Sequence, residues 1–460
     1  MNVFVRWRPL IGAETAAGSV DHHTTTTTTT TTTASSPLLA VTVHRRLSPS
    51  DKPWTSASAF DAVFDSTASN AAVFATVVLP AVPRVLAGGC CSFFAYGHSG
   101  SGKTHTVIGY DEDRNSDGDG SGAGLCLAAA QQLFAQITAR GAVENQSPLA
   151  IGLSVFELRQ KAAFDLLNDG TRCHIRQGPD GKVHIRGETE THADGRVRVQ
   201  PLVQQPCWTF SELRDALRRA LSRRAVGTSS VHDQSSRTHA VLALELVNAE
   251  LVAARAALVD RQSELVPVGK RATDITVAEQ TRAVLRSPGG TYRPRPDYVI
   301  NQALIDQVTA EKEASEMRVA EAEAVVASVY ERYRDAGLGG KMVFVDLAGA
   351  EYNQDNNTII MSTATAKRAQ TPTEKHEARQ INTDLLALKE VMRAWAMRSP
   401  RRRVPYRASP LTMVLREAFT DEAAVAGMVV TVSPANTHHA ATLNALKYGS
   451  LMGSAAAAAR

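Results

Sequence analysis

The stretch GHSGSGKTHT, residues 97–106, constrains the fold of this chain more than any other segment, because it contains the complete pattern G-x-x-x-x-G-K-T. Glycines at Gly97 and Gly102 let successive backbone N–H groups turn inward, so the loop can cradle phosphate oxygens. In this pattern Lys103 reaches the outer phosphates and the Thr104 hydroxyl ligates Mg²⁺. The apolar segment CCSFFAY before the loop predicts a buried strand, and a helix can begin beside Lys103. A glycine-rich surface turn is the alternative, but the flanking strand and helix favour a nucleotide site.

Length and composition describe a chain that can bury a large core. Its 460 residues suffice for one large domain or two to three average ones, and 43% of them are hydrophobic. The formal net charge is only +4, so an anionic partner must be bound by local basic patches. The five cysteines suggest neither a metal site nor a disulfide framework, and no apolar run is long enough to span a bilayer. We therefore expect a soluble intracellular protein.

Both ends of the chain carry segments of low complexity. The N-terminal residues MNVFVRWRP alternate as a strand does, and ten consecutive threonines follow at Thr24 to Thr33. A run of one polar residue gives no basis for a packed core, so residues 18–36 are predicted to form a disordered surface loop. Residues 454–460 form an alanine-rich tail.

The character of the sequence changes between residues 248 and 340. This segment shows little alternation and no phosphate or acid–base motif. Its second half, residues 301–336, lacks glycine and proline, and apolar residues recur there with helical spacing at Val326, Val329 and Tyr333. We predict a long amphipathic helix in that half. The apolar heptads are not sustained, which argues against a long coiled coil. Residues 248–340 are therefore predicted to be an insertion that is packed against, or tethered to, the main domain.

Two further segments have the chemistry of a nucleotide switch, which must contact the terminal phosphate and release it after hydrolysis. VFVDLAGAE predicts a buried strand that ends at Asp346, where a carboxylate can hold the Mg²⁺ shell. Gly349 follows, and its N–H can reach the terminal phosphate. The loop DQSSRTH offers Ser235 and Ser236 as a metal ligand and a water-positioning hydroxyl, beside Arg237. The strand segment alone is equally consistent with a strand that ends in an ordinary turn, and the Ser-Ser-Arg loop alone is a weak signal because such loops are common.

Six segments resemble, in the same order, the motifs of kinesin motor domains. They are FAYGHSGSGKTHT (family pattern FAYGQTGSGKTHT), DQSSRTHA (NxxSSRSHA), VDLAGAE (VDLAGSE), EARQINTDLLALKEVM (EGxxINKSLLALxxVI), VPYRASPLTMVLREAF (PYRxSKLTxLLxDSL) and TVSPANTHHAATLNALKYGS (ISPxxxNxxETLxTLRYA). The likeness covers about residues 1–247 and 341–453. Details such as FDLLN at residues 164–168 look most like the internal-motor kinesins that depolymerise microtubules. The threonine run stands where that group carries a Lys-Val-Asp tip.

This resemblance implies an α/β fold, that of a P-loop NTPase motor domain with a central, mixed, mostly parallel β-sheet and helices on both faces. The motor domain would span residues 1–453, with the loop 18–36 and the insertion 248–340 inside it. The expected activity is ATP hydrolysis by a microtubule-binding motor, with ATP or ADP and Mg²⁺ as ligands. The expected location is the cytoplasm, on the microtubule cytoskeleton.

The resemblance also assigns roles around the nucleotide. Ser235 is expected beside the terminal phosphate and the attacking water, Gly349 senses that phosphate, and Arg237 pairs with Glu351 to close the switches. The Mg²⁺ ligands are expected to be Thr104, Ser236 and Asp346. The adenine side is expected to be formed by Arg6, Arg8, Pro9 and His105. The phosphate cradle is expected to comprise Gly97, His98, Ser99, Gly100, Ser101, Gly102, Lys103 and Thr104.

A basic segment is the candidate contact with the acidic microtubule. RSPRRRVPYR contains five arginines and no acid, directly after the helix predicted near residues 377–396. By itself it is more consistent with a solvated arginine-rich loop or a nucleic-acid patch; the resemblance reverses this preference in favour of tubulin, and we expect no nucleic-acid partner. Lys182 and Arg186 of the hairpin PDGKVHIR are expected to assist. The predicted loop contacts are Arg398, Arg401, Arg402, Arg403 and Arg407.

Departures from the family patterns leave an alternative function open. The phosphate and metal ligands are retained, but Thr383 and Asp384 replace the lysine and serine of INKS, and Pro410 replaces the lysine of SKLT. The alternative is a microtubule-binding scaffold or regulator whose ATPase is slow or weakly coupled to the track. An unrelated P-loop NTPase that acts on nucleic acid would leave five of the six motifs unexplained.

Overall fold

A computed structural model of the chain shows an α/β fold in which strands and helices alternate along the sequence. The residues that it describes are 1–15, 18–26, 37–45, 51–109, 122–144, 148–178, 181–193, 196–224, 238–286, 290, 292–350, 372–396, 404–420 and 424–457. The strands are β1 (Asn2–Trp7), β2 (Asp21–Thr26), β3 (Leu39–His44), β4 (Trp54–Thr55), β5 (Ala62–Phe64), β6 (Cys90–Tyr96), β7 (Ala150–Arg159), β8 (Ala162–Asp165), β9 (Thr171–Gln177), β10 (Val183–Gly187), β11 (Glu190–Thr191), β12 (Val197–Arg198), β13 (Gln205–Cys207), β14 (His239–Val247), β15 (Val284–Arg286), β16 (Tyr292–Pro294), β17 (Lys341–Asp346) and β18 (Val425–Val432). The helices are α1 (Gly12–Thr15), α2 (Asn70–Val77), α3 (Val82–Val85), α4 (Lys103–Val107), α5 (Leu125–Glu144), α6 (Phe210–Arg224), α7 (Ala249–Arg282), α8 (Gln302–Arg332), α9 (Pro372–Ala396), α10 (Pro410–Val414), α11 (Glu417–Thr420) and α12 (His439–Ala457).

One large sheet forms the centre of the fold. Its strands lie in the order β10, β9, β8, β7, β14, β17, β6, β18, β1, β5, and β13 pairs with β7. The strands from β17 to β5 pair in parallel, whereas those from β10 to β17 pair antiparallel, so the sheet is mixed. Because β6 and β17 are parallel neighbours, with Asp346 opposite Ala95, the loops that follow them meet at one edge.

Helices cover both faces of this sheet because its central strands are buried on both sides. Along β6, Phe93 belongs to a buried cluster with side chains from α2, α5 and α6, whereas Phe94 belongs to a second cluster with side chains from α9, α11 and α12. The alternation follows from the period of two in a strand. The predicted α/β architecture, a mixed sheet with helices on both faces, is confirmed.

The segment between β14 and β17 forms a long helical arm, which consists of α7, the β15–β16 hairpin and α8. The helices are antiparallel: Arg332 pairs with Glu250 near the sheet at 2.5 Å, and Arg271 pairs with Glu311 further out at 3.2 Å. The helix predicted over residues 301–336 corresponds to α8. The sequence did not indicate α7, which continues through Pro267.

The arm is attached to the central sheet by buried contacts at its base. Glu245 of β14 accepts hydrogen bonds from Arg255 Nη2 at 2.7 Å and from the Tyr330 hydroxyl at 2.9 Å. Leu251 and Val329 lie in one apolar cluster with side chains of β7 and β14. Of the two arrangements predicted for the insertion, packed or tethered, the base of the arm shows the packed one.

The N-terminal low-complexity segment is described only over residues 18–26, and part of it differs from the prediction. Residues 21–26 form β2, which pairs with β3 in a small sheet completed by β4, so the first three threonines continue a strand instead of a loop. Threonine is β-branched and suits a pleated strand when a partner is available. The remaining threonines lie outside the described residues.

Candidate functional site

The glycine-rich loop follows β6 and precedes α4, as the sequence predicts. A side chain at Gly97 would collide with the carbonyl oxygen of Thr431 at 2.3 Å and with Ser101 Oγ at 2.5 Å, so only glycine fits there. Gly102 has a φ of +97°, a left-handed conformation that favours glycine. Ser101 Oγ and Thr431 Oγ1 lie 2.7 Å apart, which ties the loop to the end of β18.

Lys103 is buried beneath this loop. Its ammonium group donates to the carbonyl oxygens of His98 at 2.8 Å and Gly97 at 3.1 Å. These two bonds place the cation under the loop that is expected to hold the phosphates. Carbonyl oxygens carry only partial charge, so phosphate oxygens would compete effectively for the same ammonium group.

Thr104 and Asp346 meet where the two parallel strands end. The Thr104 hydroxyl donates to Asp346 Oδ2 at 2.8 Å, and Asp346 Oδ1 is buried without a hydrogen-bond partner among the described residues. Hydroxyl and carboxylate oxygens are the ligands that Mg²⁺ prefers. The free acceptor and the neighbouring hydroxyl therefore fit the predicted metal position.

An arginine that sequence reasoning missed balances the charge of Asp346. Arg224, the last residue of α6, donates from Nη1 to Asp346 Oδ2 at 2.9 Å, and its Nε lies 4.0 Å from Glu157 Oε2. All three side chains are buried. The one available signal was a charged residue, Glu157, within the otherwise apolar strand AIGLSVFEL.

His239 joins the two segments that are expected to act as switches. It begins β14, two residues after Arg237, and its Nδ1 accepts a hydrogen bond from the Ala348 N–H at 3.0 Å. Burial, with Arg224 and Lys103 nearby, lowers the pKa of His239 to about 3, so the ring is neutral with its proton on Nε2. The segment after β17 also contacts the glycine-rich loop, because the Ala350 N–H donates to the Gly97 carbonyl oxygen at 3.2 Å. Gly349 thus lies beside that loop.

The residues expected on the adenine side occupy two environments. Arg8 lies at the loop surface and donates from Nε to the Gly100 carbonyl oxygen at 2.7 Å, and Pro9 next to it is exposed. Arg6 is buried, donates to Thr106 Oγ1 at 2.9 Å and also bonds Asn70, and burial lowers its pKa to about 10. Arg6 therefore supports the helix behind the loop.

His105 is half-buried beside these residues, and its carbonyl oxygen accepts a hydrogen bond from Asn70 Nδ2 at 3.1 Å. Burial, followed by the charge of Arg6, lowers the pKa of His105. Asn70 thus joins His105 to Arg6. The assignment of Arg6, Arg8 and His105 to adenine stays a prediction.

Two of the segments predicted to face the track lie side by side. Arg407 donates from Nε to Gln177 Oε1 at 2.7 Å, and Arg416 donates to the Gly181 carbonyl oxygen at 2.5 Å. Gln177 is the last residue of β9, and Gly181 directly precedes Lys182 in the turn that leads into β10. The structure therefore places Arg407 beside the Lys182 turn and adds Arg416, which the sequence did not single out.

Arg186 lies four residues beyond Lys182 along β10, roughly 13 Å away at the rise of a strand. Other predicted site residues lie outside the described part of the chain, and their roles stay predictions. They are Ser235, Ser236, Arg237, Glu351, Arg398, Arg401, Arg402 and Arg403.

The sequence matches the family profile described as Kinesin motor domain over residues 6–268 and 313–454. This chain belongs to the kinesin motor domain family. Members of that family are ATPases that bind nucleotide, generally with Mg²⁺, and bind microtubules. Residues 269–312, the distal half of the helical arm, lie outside the match.

Similar proteins include two kinesin-like relatives. The mouse "Kinesin-like protein KIF24" is 24% identical over 389 residues, which cover 85% of this chain and 20% of that protein. The "Kinesin-like protein KIN-13A" of Oryza sativa subsp. japonica is 25% identical over 389 residues, 85% of this chain and 34% of that protein. The matched region thus spans a fifth to a third of these relatives. Among the helices described for this kinesin chain, none is long and apolar enough to cross a membrane.

Proposed function

We propose that this chain hydrolyses ATP and that the hydrolysis cycle changes its affinity for microtubules, as in the motor domain of a cytoskeletal kinesin. The observation that carries the proposal is the contact of Thr104 with Asp346 beside the buried ammonium group of Lys103. It joins the glycine-rich loop to the strand that leads into the second switch. An ordinary structural turn would not require a buried lysine in the loop and, on the next residue, a hydroxyl bonded to a buried carboxylate.

Binding of ATP requires the residues of the loop to exchange partners. Lys103 gives up its carbonyl contacts with Gly97 and His98 for phosphate oxygens, whose full charge makes the stronger hydrogen bonds. Thr104 and Asp346 would hold Mg²⁺, which supplies positive charge to the phosphates. Arg224 keeps the buried Asp346 carboxylate compensated when the site is empty. Catalysis of this kind rests on positioning and charge stabilisation, without a covalent intermediate.

The switch movement is proposed to involve both segments that His239 joins. Ser235 and Ser236 would position the attacking water and complete the metal shell, and Gly349 would donate to the terminal phosphate. Because His239 bonds Ala348 directly, displacement of either segment is transmitted to the other. Loss of the terminal phosphate then releases the pair Arg237–Glu351, and the movement reaches α9 through the chain that connects it to Gly349.

The track contact is proposed to include Lys182, Arg407 and the arginine-rich segment at residues 398–403. Support comes from the hydrogen bond of Arg407 to Gln177, which joins the segment just before α10 to the end of β9. Arginines at this surface would attract the acidic microtubule over about 10 Å at 0.1 M salt. That the chain acts as the internal-motor kinesins do, by depolymerising microtubules, stays a prediction from the resemblance alone.

Substitution of Lys103 tests the nucleotide site. Lys103→Ala removes the cation that is proposed to bind phosphate, and a charged hydrogen bond of that kind corresponds to about a tenfold to hundredfold loss of affinity. Titration with a fluorescent Mg·ATP analogue measures the affinity, and phosphate release measures turnover. Lys270→Ala, which makes the same change on the exposed face of the arm, is the control and should behave as the unmodified protein. A folded Lys103→Ala protein with unchanged affinity and turnover would remove Lys103 from the site.

A further inference from the structure

Two histidines from opposite ends of the sequence pack against each other beside the nucleotide site. His98, the second residue of the glycine-rich loop, is buried, and its ring centroid lies 4.8 Å from that of His438 with the planes tilted by 45°. His438 ends a short 3₁₀ helix, Asn436–His438, directly before α12. The contact therefore links the phosphate loop to the start of the last helix.

Both histidines are departures from the family patterns quoted above. The pattern FAYGQTGSGKTHT has glutamine where this chain has His98, and the pattern ISPxxxNxxETL has asparagine where it has His438. A pair of amide side chains is thus replaced by a pair of imidazoles. Because the two rings are in contact, a change of side chain at either position alters the packing of the other.

The hydrogen bonds of His98 define its tautomer. Its Nδ1 lies 2.7 Å from the Ser99 carbonyl oxygen, and since a carbonyl only accepts, Nδ1 carries the proton. Burial, followed by the nearby His438, keeps the pKa of His98 low, at about 3, so the ring is neutral. Its Nε2 is buried and has no hydrogen-bond partner in the described part of the chain. Ring packing against His438 is therefore a main contact of this side chain.

His438 connects this contact back to the same loop by a second route. Its Nδ1 lies 3.3 Å from Glu14 Oε1 and 3.3 Å from Ser433 Oγ. Glu14 is paired with Arg8 at 2.7 Å, and Arg8 donates to the Gly100 carbonyl oxygen. The loop is thus held at residue 98 through the ring contact and at residue 100 through the ion pair.

We propose that His98 and His438 are positioning residues that act as one unit, holding the glycine-rich loop in the shape that receives the nucleotide. The proposal rests on the nucleotide site proposed above. Under this proposal, nucleotide binding and the position of the turn before α12 are linked reciprocally. A nucleotide that orders the glycine-rich loop also orders the turn at His438, and the reverse holds as well.

A double-mutant cycle tests the unit. His98→Gln and His438→Asn, each alone, should weaken binding of a fluorescent Mg·ADP analogue by about two- to tenfold, the range that a ring pair contributes. The double variant should bind more tightly than the product of the two losses predicts, since glutamine and asparagine can hydrogen-bond each other. His439→Asn, the same change one residue along, is the control and should leave the affinity unchanged.

A second measurement uses the unmodified protein, so the test of the histidine pair does not depend on whether the variants fold. With ¹⁵N-labelled histidine, the ring signals of both His98 and His438 should shift on addition of Mg·ADP while those of His439 stay. Losses that multiply in the double variant, or ring signals unmoved by bound Mg·ADP, would overturn the proposal for the pair. Failure of the unmodified protein to bind Mg·ADP would instead overturn the nucleotide site, and the pair with it.

Discussion

Replacement of Asp384 with asparagine is expected to stabilise this protein at neutral pH. Asp384 lies in α9 and is only 5% exposed; Gln380 Nε2 donates to its Oδ1 at 3.1 Å, and Ser409 also bonds it. Burial raises the pKa of Asp384 from 3.8 to about 6, against the opposing effect of these two hydrogen bonds. Asparagine keeps an acceptor oxygen for both donors and carries no charge to bury.

The magnitude follows from the shift in pKa. A rise of about two units, at about 1.36 kcal/mol per unit, means that ionised Asp384 costs the fold about 3 kcal/mol above pH 6. The native state binds this proton more tightly than the unfolded state does. The contribution of Asp384 to the free energy of unfolding therefore falls as pH rises from about 4 to about 6, and is level above that. The advantage of Asp384→Asn should be near zero at pH 4 and about 1–3 kcal/mol at pH 7.5.

Urea unfolding between pH 4 and pH 8, followed by far-ultraviolet circular dichroism, measures this difference. The control is Asp306→Asn on α8, where Gln302 makes the same hydrogen bond one turn away at 2.7 Å but the pair is exposed. That variant should stay within about 0.5 kcal/mol of the unmodified protein throughout. If Asp384→Asn brings no gain at pH 7.5, or a gain that does not change with pH, the reasoning is refuted.

Three further predictions concern the charge beside the metal position, the arm and the track. Arg224→Met should lower the free energy of unfolding by about 3–5 kcal/mol, because it leaves Asp346 buried without its cation, and a loss below about 1 kcal/mol in urea unfolding would contradict the pairing. Replacement of residues 269–312 with a short Gly/Ser turn should leave Mg·ADP affinity unchanged. Arg271 and Glu311, just inside the two ends of this deletion, form an ion pair, so the two cut ends are close enough in space for a short turn to join them. Loss of binding would make the distal arm part of the site. The affinity of the unmodified protein for microtubules should fall as salt rises, and neutralisation of Arg401 to Arg403 together should weaken co-sedimentation most at low salt, with basal ATP turnover unchanged; unaffected co-sedimentation would exclude that loop from the interface.

The phosphate loop could be predicted because its chemistry is local. Gly97, Gly102, Lys103 and Thr104 are contiguous, and the pattern itself requires a strand before and a helix after. Asp346 could be placed near them because both strands end in the same parallel half of the sheet. The position of Arg224 could not be predicted, because its partners Glu157 and Asp346 lie 67 and 122 positions away in sequence. Only the folded sheet brings the three side chains together.

The same distinction applies to the helices. Regular apolar spacing revealed α8, whereas α7 contains Pro267 and Gly269 and has no regular stripe, so its helical state depends on packing against α8 and the sheet. The first threonines looked like loop because composition alone says nothing about a partner strand. The histidine pair could not be predicted either. Each histidine can be read in the sequence, but the two are 340 positions apart, and only the folded chain brings their rings into contact.

The measurement that tests the central claim most directly is ATP turnover by the unmodified chain with and without polymerised tubulin. We expect measurable basal turnover that requires Mg²⁺, and a modest stimulation by microtubules, since Thr383 and Asp384 replace family residues in α9, the helix that would carry the response. Turnover that is stimulated by microtubules and abolished by Lys103→Ala would support the motor. Tight binding to microtubules with no stimulation would contradict it and favour the scaffold, and the absence of any Mg²⁺-dependent turnover would contradict the ATPase itself.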